Sequence, residues 1–162
     1  MTKGKLVRPM FAIGAVVIAV IIGWSAIAQT KNLLEGTWKA NISKSQRDPK
    51  HLFESVTLTF EVSEDVVSLT FTGVNMSGEQ ESGTRKFHAD GKEYPIVEAP
   101  GMVEVSKWMG SNVMETVAKK DGKVVGQSTY EVSSEGKTLT AKIKGIDESG
   151  GTFEQVIVFD RQ

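Results

Sequence analysis

Residues 54–74 read Glu-Ser-Val-Thr-Leu-Thr-Phe-Glu-Val-Ser-Glu-Asp-Val-Val-Ser-Leu-Thr-Phe-Thr-Gly-Val. Val56, Leu58, Phe60 and Val62 alternate with Ser55, Thr57, Thr59 and Glu61, and Val67, Leu69 and Phe71 alternate with Ser68, Thr70 and Thr72. An apolar period of two puts one side of a strand in a core and the other in water. β-branched residues suit that geometry. Glu64-Asp65 is the only break between the two runs, so they form adjacent antiparallel strands.

The same pattern extends outward. Leu139, Ala141 and Ile143 alternate with Thr138, Thr140, Lys142 and Lys144. Asp90-Gly91-Lys92, Asp121-Gly122-Lys123 and Glu135-Gly136-Lys137 each supply a glycine for a tight hairpin. Turns recur about every ten residues, the spacing of an antiparallel meander. Strands are expected near 35–42, 54–62, 66–74, 81–89, 93–97, 102–108, 112–119, 123–133, 137–146 and 152–160. A sheet of that many twisted strands closes on itself or splits into two layers. The last strand carries Phe153, Ile157 and Phe159 on one face and Val156 and Val158 on the other, so its outer side needs a cover. The polar connection 43–52 and a partner subunit are the candidates.

The N-terminus differs in kind. Lys3, Lys5 and Arg8 precede an uncharged apolar run, then Ser25-Ala26-Ile27-Ala28 and Gln29. This is the pattern of a signal peptide spanning 1–28, cut before Gln29, leaving one domain over 29–162. The alternative is an uncleaved membrane anchor. The segment holds three of the 19 basic residues, so 16 remain against 20 acidic residues, a net charge of −4. That balance argues against nucleic acid and anionic membranes as partners. The chain has no cysteine, which excludes disulfides, thiol nucleophiles and thiolate metal sites.

Three features resemble the calycin superfamily, the lipocalins and fatty-acid-binding proteins. Gly36-Thr37-Trp38 opens the first strand as a Gly-x-Trp motif does in lipocalins. The meander with Asp-Gly-Lys hairpins follows, and Phe159-Asp160-Arg161 resembles the Tyr-Glu-Arg ending of fatty-acid-binding proteins. The stretch from Asp121 through Thr140 is similar to exported lipocalin-like proteins of bacteria. The resemblance implies an all-β, single antiparallel up-and-down β-barrel of eight to ten strands. It also implies that Gly36, Trp38 and Arg161 close one end, with the guanidinium stacked on the indole. In fatty-acid-binding proteins an arginine and a tyrosine of the last strand hold the ligand carboxylate. Ile157 and Phe159 stand at those positions and cannot do so.

Candidate chemistry is sparse. His51 and His88 are too few for a histidine metal site, and no metal ligand is assigned. No nucleophile elbow, phosphate loop or paired carboxylates stand out, so no catalytic residue and no cofactor is assigned. Trp108 beside Lys107 could be a binding platform or a core aromatic. Met102, Met109 and Met114 could form a pliable wall or fill gaps. Arg85 could be an interior charge, but its strand is polar on both faces and reads as exposed. The expectation is a secreted or periplasmic, non-catalytic protein that binds a small hydrophobic molecule in an apolar lumen lined by Phe60, Phe71, Trp108, Ile157 and Phe159. The alternative is an envelope protein-interaction or inhibitor module whose barrel is filled by its own side chains.

Overall fold

The computed structural model describes residues 32–147 and 149–162. The proposed signal sequence therefore lies outside the described residues. Ten strands follow in chain order: β1 (Gly36–Ala40), β2 (Phe53–Ser63), β3 (Val66–Asn75), β4 (Gln80–His88), β5 (Asp90–Pro95), β6 (Met102–Trp108), β7 (Val113–Lys120), β8 (Lys123–Val132), β9 (Thr138–Ile146) and β10 (Thr152–Arg161). A single 3-10 turn at Ile42–Lys44 is the only helical element described. The sheet order is β4-β3-β2-β1-β10-β9-β8-β7-β6-β5, an antiparallel up-and-down meander curled into a nearly closed barrel. The hairpins follow from local chemistry. Asp121 and Gly122 both take positive φ (50° and 76°), the left-handed pair that a two-residue turn matched to strand twist requires.

The chain ends meet: Trp38 pairs with Arg161 and Ala40 with Phe159 in the β1–β10 ladder. Beyond Ala40 the edge of β10 is taken over by the 41–46 segment. Gln46 and Val156 exchange backbone hydrogen bonds, each at 2.8 Å, and the Val158 N–H donates to Ser45 Oγ. This loop, within the same chain, continues the pairing along the edge of β10, while Val156 and Val158 on the outer face are half-buried.

The barrel does not close everywhere. β4 and β5 are consecutive yet stand at opposite ends of the strand order, which leaves a seam where full closure was expected. Side chains bridge it: Arg85 reaches Glu104 at 2.7 Å, and His88 stacks on Tyr94 at 4.1 Å between ring centroids. β4 is mostly polar and exposed, so it offers little apolar surface to draw a neighbour in.

Strand alternation sorts the inward side chains into layers. At the β1 N-terminal end, Trp38, Phe60, Val67, Phe87, Met114, Val132 and Leu139 are at most 1% exposed and form a solid plug with Phe159. Trp38 Nε1 donates to Leu34 O at 2.9 Å. Arg161 lies over the indole, 4.0 Å from its centroid, and donates to the carbonyls of Leu33, Glu35 and Gly136. A Cβ at residue 36 would sit 2.6 Å from that guanidinium, so glycine is needed before the tryptophan strand.

Candidate functional site

The opposite half of the barrel is built from small residues. The registers align Ala118 with Gly126 and Gly126 with Gly145 across β7, β8 and β9. Gly83 faces Phe71 across β3 and β4, and Gly73 lies one inward position further along β3. Glycine in a strand interior weakens the strand and marks a place where something else must fit. Two of these glycines are partly covered by aromatic rings: a Cβ at 83 would lie 2.6 Å from Phe71 and one at 145 would lie 3.0 Å from Phe153. At Gly126 the nearest atom to a new Cβ is Ala118 Cβ, at 3.7 Å, so space remains there.

Gly126 and Gly145 border a hollow of about 550 Å3 with Phe153, while a separate cavity of about 450 Å3 is lined by the inward side chains of Phe71, Arg85, Met102 and Ala118 with Gly83. The β5–β6 turn, Ile96, Glu98 and Ala99, forms its outer rim. A further hollow of about 450 Å3 runs along the β4–β5 seam past Arg85, Glu104, His88 and Tyr94. Arg85 and Ile96 belong both to it and to the Phe71 cavity, so the lumen opens sideways as well as at the end.

Each connection at this end has an exposed large apolar residue in it or on the adjoining strand end. These are Leu52 before β2, Met76 after β3, Val97 after β5, Val124 after β7 and Ile146 before β10, from 39% to 86% exposed. Met109 is the only such residue at the plugged end among those described. The loop before β2 is tied across the mouth by Lys50 to Asp147 at 3.0 Å and by His51 against the Phe153 ring at 4.3 Å. The Ser149 hydroxyl, then Lys50, hold the Asp147 carboxyl well below the usual range.

Midway down the barrel the lining turns polar. Ser106, Thr116, Ser128, Ile143 and Gln155 form one continuous inward row across β6 to β10. Gln155 Oε1 is buried without a hydrogen-bond partner, and Ser106 Oγ lies beside the Glu104 carboxyl. This corrects the expectation of an apolar lumen, because inward serine and threonine are indistinguishable in sequence from the outward ones of the same strands. Arg85 is exposed, as expected, with 48% of its side chain open to solvent, yet it sits on the inward side of β4 at the seam. Its guanidinium lies 5.2 Å from the inward Phe87 ring and pairs with Glu104 rather than standing clear of the barrel.

Glu104 is 8% exposed, and burial pushes its carboxyl upward against the opposing charge of Arg85. A carboxyl that holds its proton more tightly folded than unfolded supports the fold below its ordinary value of 4.5. That support is lost as pH rises through the raised value. Thermal midpoints of wild type and Glu104→Gln, compared from pH 4 to pH 8, should therefore shift steadily in the variant's favour as pH rises. A wild type that gains on the variant over that range would contradict this sign.

The residues expected to line a lumen are distributed unevenly. Phe60, Ile157 and Phe159 (1–3% exposed) belong to the plug, and Trp108 packs against it. Phe71 alone of the five borders the cavity. Met102 borders it as well, Met114 is in the plug and Met109 is exposed. Lys107 points outward to Glu115 at 3.7 Å. His51 and His88 are ring-stacked on different elements, and no three His, Asp or Glu side chains converge on a metal site among the described residues. The glycines and the polar row were missed. Their one signal was glycine recurring at inward register within strands.

No family model matches the chain, and no curated protein matches it in sequence. Solved structures do match. The fluorescent protein UnaG is 18% identical with a TM-score of 0.54, over 79% of this chain and 96% of UnaG. Zebrafish ileal bile acid-binding protein, solved with cholic acid, is 16% identical with a TM-score of 0.50, over 80% of this chain and 99% of that one. The likeness to these two proteins is one of fold.

Proposed function

We propose that the protein is a non-catalytic binder of one small, largely apolar molecule, held in the half of the barrel opposite Trp38. The observation that carries this reading is the change in the barrel wall, from a solid plug to an open cavity bordered by Gly83 and Ala118. A barrel that served only as a scaffold would gain stability by filling that volume, since packing defects cost free energy. The cavity volume lies within the range of small-ligand pockets. The apolar loop tips around the mouth offer a low-barrier approach for such a molecule. A likeness in fold to a protein solved with cholic acid is in keeping with this reading, though fold alone does not assign function. Titration with Nile red, a neutral apolar dye, should give saturable emission at one dye per chain. Emission that rises without saturating would count against a defined site.

Export belongs to the same proposal and rests on the sequence of residues 1–28. Mature protein beginning at Gln29 supports it, and exported protein beginning at Met1 counts against cleavage.

A further inference from the structure

Resting on that binding reading, we propose that the ligand carries an uncharged hydrogen-bond donor, a hydroxyl or amide, which enters the mid-barrel polar row and donates to Gln155 Oε1. An anionic headgroup is not accommodated there.

Buried polar groups are almost always paired, and an unpaired one carries its full desolvation cost. Here Gln155 Oε1 on β10 is unpaired in an inward row with the hydroxyls of Ser106, Thr116 and Ser128, and Ser106 Oγ lies beside the Glu104 carboxyl. The row lies one inward position below Ala118 and Gly126, so a molecule seated in the cavity has its inner end directed at it. An amide oxygen only accepts, so the group that satisfies Gln155 Oε1 must bring a hydrogen. Ser106 Oγ can donate or accept and suits either side of the same headgroup. A carboxylate at neutral pH has no hydrogen to give to that oxygen.

Neither inward arginine is free to compensate. Of the inward arginines, Arg85 is already held by Glu104 at 2.7 Å. Arg161 is committed to three backbone carbonyls and the Trp38 ring at the plugged end. An acid driven into the lumen would lose hydration, meet the Glu104 carboxylate and find hydroxyl donors but neither arginine free.

The test is competition against bound Nile red at neutral pH by three probes of one chain length: lauryl alcohol, its methyl ether and laurate. Alcohol should bind about three- to tenfold tighter than the ether, the margin of one or two hydrogen bonds, with laurate weakest. Gln155→Leu, which keeps the side-chain volume, should erase the alcohol's margin over the ether and leave ether binding in place. Ser106→Ala should narrow it. Laurate binding as tightly as the alcohol overturns the headgroup assignment while leaving the binding reading intact. An unchanged margin in Gln155→Leu overturns the assignment to this row. Saturable Nile red that none of the three displaces overturns the proposed ligand class. Failure of Nile red itself to saturate removes the binding reading and this proposal with it.

Discussion

Trp38→Ala should leave the domain at the edge of unfolding. The indole is wholly buried, its N–H is satisfied by Leu34 O, and its face carries the Arg161 guanidinium at 4.0 Å. Truncating a buried aromatic of this kind costs about 3–5 kcal/mol, against a total stability of about 5–15 kcal/mol for a domain of this size. The loss falls where β1 meets β10, the pairing that brings the chain ends together. Denaturant melts should show a large drop in midpoint. Arg161→Ala should cost less, and the double variant less than the sum of the two, because the groups touch. Strict additivity would show that the stacking contributes nothing of its own.

Ala118→Phe should have the opposite profile, with the fold kept and ligand binding lost. Ala118 lines the cavity, so the added ring enters open volume and leaves the plug untouched. Nile red affinity should fall at least about tenfold, equivalent to about 1.4 kcal/mol, with little change in thermal midpoint. Gly126→Leu is the second variant, since a Cβ there meets nothing closer than 3.7 Å and its φ is not positive. Undiminished dye binding in both would place any site elsewhere.

The architecture was legible because period-two alternation is a direct record of which side faces the core. The paired runs at 54–74 and the Gly36–Trp38 and Arg161 ends reappear as ladder neighbours, and Gly122 and Gly136 as turn residues with positive φ; Asp90-Gly91-Lys92, expected to turn a hairpin, lies instead within β5, beside the seam. The seam was not legible. It depends on β4 failing to meet β5, and a polar strand such as Gln80–His88 does not show which of its sides is unpaired.

The site was read from the wrong quantity. Phe60, Ile157 and Phe159 were expected in the lumen because they are large, apolar and inward, and those same properties make them the plug. A binding volume is defined by the side chains a wall lacks. Gly83 and Ala118 carry that information, and Phe71, whose ring lies over Gly83, borders the same cavity. The polar row was hidden for a related reason. Ser106, Thr116 and Ser128 have the composition of a wet strand face, and only the register turns them inward.

The central claim is that the volume above the plug holds a small molecule. Native mass spectrometry of the protein isolated from its own source weighs that directly. The account predicts wild-type protein carrying the added mass of one small organic molecule, and Ala118→Phe protein, prepared identically, at the mass of the bare chain. Bare chain in both preparations under gentle ionisation, or the same adduct on both, would contradict it.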